Sequence, residues 1–341
     1  MRAVVFRNHG GPEVLESASM PEPRLRVTEV LVEVRACSVN HLDIWIRKGL
    51  PHFSLPLPHI LGADVSGVVT AIGEEVEGVA VGERVFIAPG LSCGHCFACA
   101  NGQDNLCDHY SILGEHRQGG YAEYVSVPRE NIFSIPKGLT FAEAAAFPLT
   151  FLTAWQMVVR KARVSPNQTV LVLAAGSGVG NAALQIAKLF GARVMATAST
   201  LEKLAQAKSQ GADELIQTGV DNLLEKVKIF TEGKGVDVVI EHVGEATWEE
   251  SIRAVRKGGR VVTCGATSGY RAVTDLRHVF YRQIEILGSS MGSRADLYPI
   301  IEAVRKRELF PVIDSVLPLE EAGTAHRKME QRKQFGKIVL E

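Results

Sequence analysis

Hydrophobic and polar positions follow two different styles along this chain. Up to about residue 135 the apolar residues come in short, often alternating runs at 3–7, 30–36, 66–72, 84–88, 121–127 and 131–135, punctuated by Gly10, Gly11, Gly49, Gly62, Gly67, Gly73, Gly78 and Gly82. Many short strands separated by glycine turns predict a barrel or sandwich, with one short helix at 42–48. From Thr140 the period lengthens. Thr140 and Glu143 are spaced as a capping box that opens a helix to about Phe147, and a second helix is expected over 149–162. Strands at 169–174, 193–197, 213–216, 236–240, 259–264 and 284–288 then alternate with helices at 179–190, 200–209, 221–230 and 247–256, the pattern of a doubly wound parallel sheet. A helix near 296–307 and strands near 312–318 and 335–340 return to the mixed style, so the tail is expected to close onto the first domain.

The densest chemical signal in the second half is residues 169–188, TVLVLAAGSGVGNAALQIAK. A β-branched strand runs into Gly176, Ser177, Gly178, Val179 and Gly180 and then into a helix with Ala183, Leu184 and Ala187 on one face. Strand, glycine turn and helix aim backbone N–H groups and a helix N-terminus at a phosphate. The G-x-G-x-x-G spacing is imperfect, because Ala175, Ser177 and Gly180 hold its three glycine positions. An ordinary strand-to-helix turn needing tight packing is the plainer alternative.

Composition narrows the class. The 341 residues are 46% hydrophobic and 22% charged, with 37 basic against 38 acidic side chains and a net charge of −1. That balance gives no reason to expect nucleic acid or a membrane surface as partner. The N-terminal MRAVVFRNHGG has no apolar signal core, and the uncharged run 144–159 is short for a membrane span and contains Pro148, so a cytoplasmic protein is expected.

Four of the six cysteines lie together, Cys93, Cys96, Cys99 and Cys107, in a C-x2-C-x2-C-x7-C pattern. Four thiolates this close suit a tetrahedral structural Zn2+ with no open position, one ion per chain, fixing a loop over 90–110. His95, between two of them, is read as a bystander.

Gly62-Ala-Asp64-Val-Ser-Gly67, Val81-Gly82-Glu83-Arg84-Val85, the four-cysteine lobe, Gly178-Val179-Gly180 and Gly258-Gly259-Arg260-Val261-Val262 together resemble the medium-chain dehydrogenase/reductase superfamily, the zinc alcohol dehydrogenases and their quinone-reductase relatives. The resemblance covers nearly the whole chain. It implies an α/β protein with a Rossmann doubly wound parallel sheet (151–288) inserted in a GroES-like β-barrel catalytic domain (1–150 plus 289–341). Departures from the family pattern carry information. Asn40 replaces the catalytic-zinc Cys of a C-x-x-D segment, Ala63 the His of a G-H-E segment, and Leu149 falls at the third ligand; Leu42 stands at the proton-relay hydroxyl. An amide, a methyl and an isobutyl group do not make a zinc site. The segment from Ser38 to Gly49 resembles the quinone and enone reductases instead.

Hydride addition to a conjugated C=C needs less Lewis-acid help than oxidation of an unactivated alcohol, because the charge delocalises onto the carbonyl oxygen. The expected activity is therefore NADPH-dependent reduction of quinones or α,β-unsaturated carbonyls. Asn40 is read as substrate hydrogen-bond donor or positioner, Thr153 as the residue beside the nicotinamide, and His41 as a pyrophosphate contact. Trp45, Tyr121 and Phe280 are candidates for a flat aromatic pocket. An alcohol dehydrogenase recruiting zinc through His41, Asp64 or His59, and a catalytically weak crystallin-like nucleotide binder, are the alternatives. Ala198 stands where NAD-selecting domains carry an acid, and Ser199, Thr200, Lys203 and Arg332 are the expected 2′-phosphate partners, favouring NADP(H) over NAD(H). An apolar outer strand at 283–287 predicts a homodimer or homotetramer.

Overall fold

Residues 1–51 and 53–341 are described by a computed structural model, with one all-parallel sheet and a mostly antiparallel sheet in which Ile313–Leu317 runs parallel to Lys337–Leu340. Two units result. The first comprises residues 1–149, 293–305 and 310–341, the second residues 150–292 and 306–309.

In the first unit the long strand Glu29–Ser38 is the spine of a seven-stranded sheet. It pairs antiparallel with Asp64–Ile72 along one edge and with Tyr124–Pro128 and the C-terminal strand Lys337–Leu340 along the other. Gly67 is needed where the two long strands meet opposite Val34, because a Cβ there would lie 2.0 Å from the Glu33 carbonyl oxygen. A second, three-stranded sheet joins Glu16–Ser19, Arg2–Phe6 and His59–Ile60. Residues of these strands and of Arg84–Ile87 fill one core that includes Val5, Phe6, Val30, Val32, Val65, Ile87, Val125 and Ile338.

The second unit is a six-stranded parallel sheet in the order Glu214–Gln217, Arg193–Ala198, Thr169–Val172, Val236–Glu241, Val255–Thr263, Glu285–Gly288. By chain order this is 3-2-1-4-5-6, the Rossmann arrangement. The order reverses between Thr169–Val172 and Val236–Glu241, and ligands of such sheets bind beyond the carboxyl ends at that switch point.

Several expectations shift. The helix expected to reach residue 256 ends at Ala254, because the next strand already starts at Val255, paired with Val236. Two helices, Leu276–Arg282 and Ala322–Glu330, go beyond the sequence pattern. The first has no buried residue, and the second buries Ala322, Ala325, His326 and Met329, a helical stripe made largely of residues that carry little apolar signal. The run Phe141–Lys161 is long and apolar enough to cross a membrane, contrary to the length argument made from 144–159, but 89% of its apolar window is buried inside the protein. The capping box is present: Thr140 Oγ1 accepts the Glu143 N–H at 3.1 Å, and the Glu143 carboxylate accepts the Thr140 N–H at 2.8 Å.

Candidate active site, metal centre and cofactor turn

The four cysteines converge. Cys96 and Cys99 flank the start and middle of the short helix Phe97–Ala100, and a 3-10 turn at Asp104–Leu106 delivers Cys107. Their sulfurs all lie within 4.8 Å of one another, with 3.5 Å between Cys96 and Cys99, 3.5 Å between Cys93 and Cys107 and 3.9 Å between Cys93 and Cys99. A tetrahedron of Zn–S bonds near 2.3 Å has S···S edges of about 3.8 Å, so the donor set fits zinc. Backbone N–H groups of Cys96 and His109 point at the Cys93 and Cys107 sulfurs, and backbone hydrogen bonds from His95 and Cys96 bring the Cys93 thiol down to about 6. His95 turns its Nδ1 to the Cys93 carbonyl and stays exposed, as a bystander. The lobe is tied down by Ser293, whose Oγ donates to Asp104 at 2.6 Å, and by the Arg294 N–H at 3.0 Å from the same carboxylate oxygen.

A second polar group is buried under the first unit's sheet. The Lys337 ammonium, 3% exposed, donates to Val39 O (3.0 Å), Asn40 Oδ1 (2.6 Å) and Asp64 Oδ2 (3.1 Å). Asp64 also accepts from Ser38 Oγ at 3.1 Å, Asn40 Nδ2 at 3.0 Å and the Leu149 N–H at 2.8 Å. Residues 40, 64 and 149 are therefore neighbours, as the family pattern implies, yet the donors there do not suit a catalytic zinc. Ala63 and Leu149 offer none, and the oxygen of Asn40 already faces a cation. His59 and Asp64, the proposed substitute ligands, are engaged elsewhere: His59 Nε2 lies 3.0 Å from Gly114 O. Among the described residues the four cysteines are the one cluster of three or more His, Cys, Asp or Glu able to hold a metal.

Asn40 departs from its expected role as a substrate donor. It is 5% exposed and caps the helix His41–Lys48, and its amide N–H groups point at Ser38 O (3.3 Å) and Asp64. It holds its neighbours in place. His41 opens the same helix, partly exposed, with its ring 6.3 Å from that of Trp45.

Asp43, 1% exposed, accepts the Asn40 N–H at 2.7 Å, the Gly62 N–H at 3.1 Å and the Tyr121 hydroxyl at 3.3 Å. Burial pushes its carboxyl up to about 6 against the pull of the two N–H groups. From Tyr121 the chain of contacts continues through His326 Nε2 (3.1 Å), His326 Nδ1 to Arg47 Nη1 (3.2 Å), and Arg47 to Glu330 (2.6 Å). A guanidinium only donates, so His326 Nδ1 accepts, Nε2–H donates to Tyr121, and Tyr121 donates to Asp43. Burial, with the Arg47 charge beside it, lowers the imidazole to about 3. Tyr121 is thus a fully buried link and not a pocket wall, while Phe280 is 65% exposed on its helix. Glu115 was not anticipated: burial and the Asp43 charge push its carboxyl up to about 7.

In the second unit the glycine turn lies at the switch point. Ser177 is the N-cap of Gly178–Leu189, accepting the Gly180 N–H at 3.0 Å. Gly180 must lack a side chain, since a Cβ would sit 2.4 Å from Ala174 O. Gly176, Gly178 and Val179 complete a turn whose first-turn N–H groups have no intrahelical acceptor, which suits a dinucleotide pyrophosphate. The second strand ends at Ala198, buried, followed by exposed Ser199 and Thr200; Thr200 caps the next helix through the Lys203 N–H at 3.3 Å. Thr153 is 5% exposed in the helix Pro148–Trp155. Arg332 belongs to the first unit, exposed, in a left-handed turn with φ of 53°. Two residues at the end of the fourth strand were missed. Glu241 accepts from Val243 N, Gly244 N, Thr247 Oγ1 and Ser251 Oγ, and His242 Nε2 lies 2.9 Å from Ser177 Oγ. A polar pair closing the apolar run 236–240 at a parallel strand's carboxyl end was the available signal.

Comparison with known proteins agrees with this architecture. Residues 26–137 match the alcohol dehydrogenase GroES-like domain and residues 178–306 the zinc-binding dehydrogenase domain. An NAD-dependent alcohol dehydrogenase of known structure is 55% identical, with a TM-score of 0.97 over 100% of this chain and 99% of that one. The NAD-dependent alcohol dehydrogenase of Saccharolobus solfataricus is 33% identical over 100% of this chain and 99% of its own, and the human quinone oxidoreductase 30% identical over 100% and 97%. The chain belongs to the medium-chain dehydrogenase/reductase superfamily and is an oxidoreductase of that class.

Two outcomes follow from these sites. Metal analysis of extensively washed protein should give close to one zinc per chain, lost in Cys99→Ser; a second retained zinc would contradict the reading of Asn40, Ala63 and Leu149. The second concerns acid stability. An unfolded histidine takes up its proton near 6.5, whereas folded His326 does so only near 3. Its contribution is therefore complete above pH 6.5 and declines as pH falls toward 3. In urea unfolding at pH 7 and pH 5, the wild type should lose about 2 kcal/mol more than His326→Gln, which keeps a donor and an acceptor but does not titrate. Equal losses would contradict a buried neutral ring.

Proposed function

We propose that this chain interconverts alcohols and carbonyl compounds with a nicotinamide dinucleotide, using NAD(H) as its NAD-dependent relatives do in place of the NADP(H) preference read from Ala198, while still tolerating NADP(H), and that one zinc held by Cys93, Cys96, Cys99 and Cys107 braces the lobe over 90–110. The observation that carries the reading is the 55% identity, over the full chain, to an NAD-dependent alcohol dehydrogenase. The expectation of quinone or enone reduction has weaker support, since the quinone oxidoreductases are 30% identical.

When bound, the nicotinamide supplies or accepts the hydride. Gly176, Ser177, Gly178, Val179 and Gly180 hold its pyrophosphate, and Thr153 borders its ring. Ser199, Thr200 and Lys203 take the adenosine ribose, with a 2′-phosphate admitted because no carboxylate stands at Ala198 to repel it; Arg332 is the further phosphate partner in this reading. Asn40, clamped by Lys337 and Asp64, fixes the floor of the substrate side.

Reduction of quinones or enones is a second reading, favoured by the absence of zinc donors at residues 63 and 149. The two separate in steady-state assays with NADH and NADPH against an aldehyde, a ketone, a simple quinone and an enone. Aldehyde or ketone turnover should show the highest kcat/KM; turnover confined to quinones and enones moves the assignment to the second reading. Ala198→Asp should lower kcat/KM for NADPH by about 10-fold or more and spare NADH, through charge repulsion. Lys203→Ala should also act mainly on NADPH. Equal effects on both cofactors would place these residues against the shared adenosine.

A further inference from the structure

His242 sits where the sheet's chain order reverses. It follows the strand Val236–Glu241, which is hydrogen-bonded to Thr169–Val172, the strand that feeds the glycine turn. The residue is 8% exposed, its Nε2 is 2.9 Å from Ser177 Oγ, and its Nδ1 is buried with no hydrogen-bond partner. The adjacent carboxylate of Glu241 offers it no acceptor, being engaged by two backbone N–H groups and the hydroxyls of Thr247 and Ser251.

These contacts place the protons. Burial lowers the pKa of His242, so the ring is neutral and carries a single N–H. A buried N–H without an acceptor is rarer than a buried lone pair without a donor, which puts the proton on Nε2 rather than on the orphaned Nδ1. Nε2–H then donates to Ser177 Oγ. That oxygen already accepts the Gly180 N–H at 3.0 Å, so both of its lone pairs are occupied. The hydroxyl hydrogen must point elsewhere, at the N-terminus of a twelve-residue helix whose first N–H groups lack partners.

We propose that His242 is a positioning residue that presets the Ser177 hydroxyl as a donor to a phosphate oxygen of the dinucleotide's pyrophosphate. The serine at the second glycine position is then part of the recognition and not merely a tolerated small residue. The inference rests on the nicotinamide-cofactor reading and adds to it a pair of residues that act as one unit.

The test uses the full-length, zinc-containing protein and titration calorimetry with NADH, ADP-ribose and adenosine. Ser177→Ala and His242→Leu should each weaken NADH and ADP-ribose by about 10-fold, the loss of one hydrogen bond to a charged group. Adenosine, which has no pyrophosphate, should bind unchanged. The double variant should be no weaker than either single one, since the ring acts through the hydroxyl. His242→Gln, which keeps an N–H donor, should recover most of the affinity and controls for misfolding of the leucine variant. Multiplying losses, an equal loss for adenosine, or unchanged NADH affinity in Ser177→Ala would overturn the pairing. If the wild type binds neither NADH nor ADP-ribose, the cofactor reading falls with it.

Discussion

An ammonium group excluded from water must have its hydrogens satisfied and its charge matched, and Lys337 meets that demand by joining its own strand to two other segments, residues 39–40 and Asp64. Its partners Val39, Asn40 and Asp64 come from the end of the spine strand, the cap of the first helix and the start of the facing strand. The lysine itself starts the C-terminal strand, whose Val339 and Leu340 pair with Ser38 and Cys37. A hydrophobic residue could fill the same volume, but it would fix neither the Asn40 amide nor the Asp64 carboxylate. Removing one member leaves the other charge buried and unpaired, so the group is retained or lost as a whole.

The same constraint shapes the chemistry. In the zinc-dependent pattern the positions of Asn40, Ala63 and Leu149 carry metal ligands; here they surround an internal salt bridge. The polarity of that region is supplied by the chain, and the hydrogen bonds that Asp64 accepts from residues 38, 40 and 149 leave it oriented. Asp43 extends the network through Tyr121 and His326 to Arg47. Since arginine does not give up a proton, that line clamps the helix His41–Lys48 and conducts nothing.

The sequence made much of this legible. The change from short alternating runs to strand–helix alternation at Thr140, the four-cysteine spacing and the glycine turn each rest on local chemistry that survives folding. The residues that escaped notice are those whose meaning is set by partners far along the chain. Lys337 lies 273 positions from Asp64, and His326 lies 205 from Tyr121, so no window could pair them. Asn40 shows the same limit: its type suggested a substrate donor or positioner, and only the fold reveals that its N–H groups face Ser38 O and Asp64. The helix Ala322–Glu330 went unseen because alanine and histidine make up most of its buried stripe.

The most direct measurement of the central claim is a double-mutant cycle on the buried pair, read as urea unfolding free energy in the zinc-containing protein. Lys337→Met alone should cost about 3–5 kcal/mol, because it strands the Asp64 charge. Combined with Asp64→Asn, the loss should shrink well below the sum of the two single changes. Losses that add, or a Lys337→Met variant within about 0.5 kcal/mol of wild type, would mean that the lysine is an incidental neighbour and that the site is held by the apolar core alone.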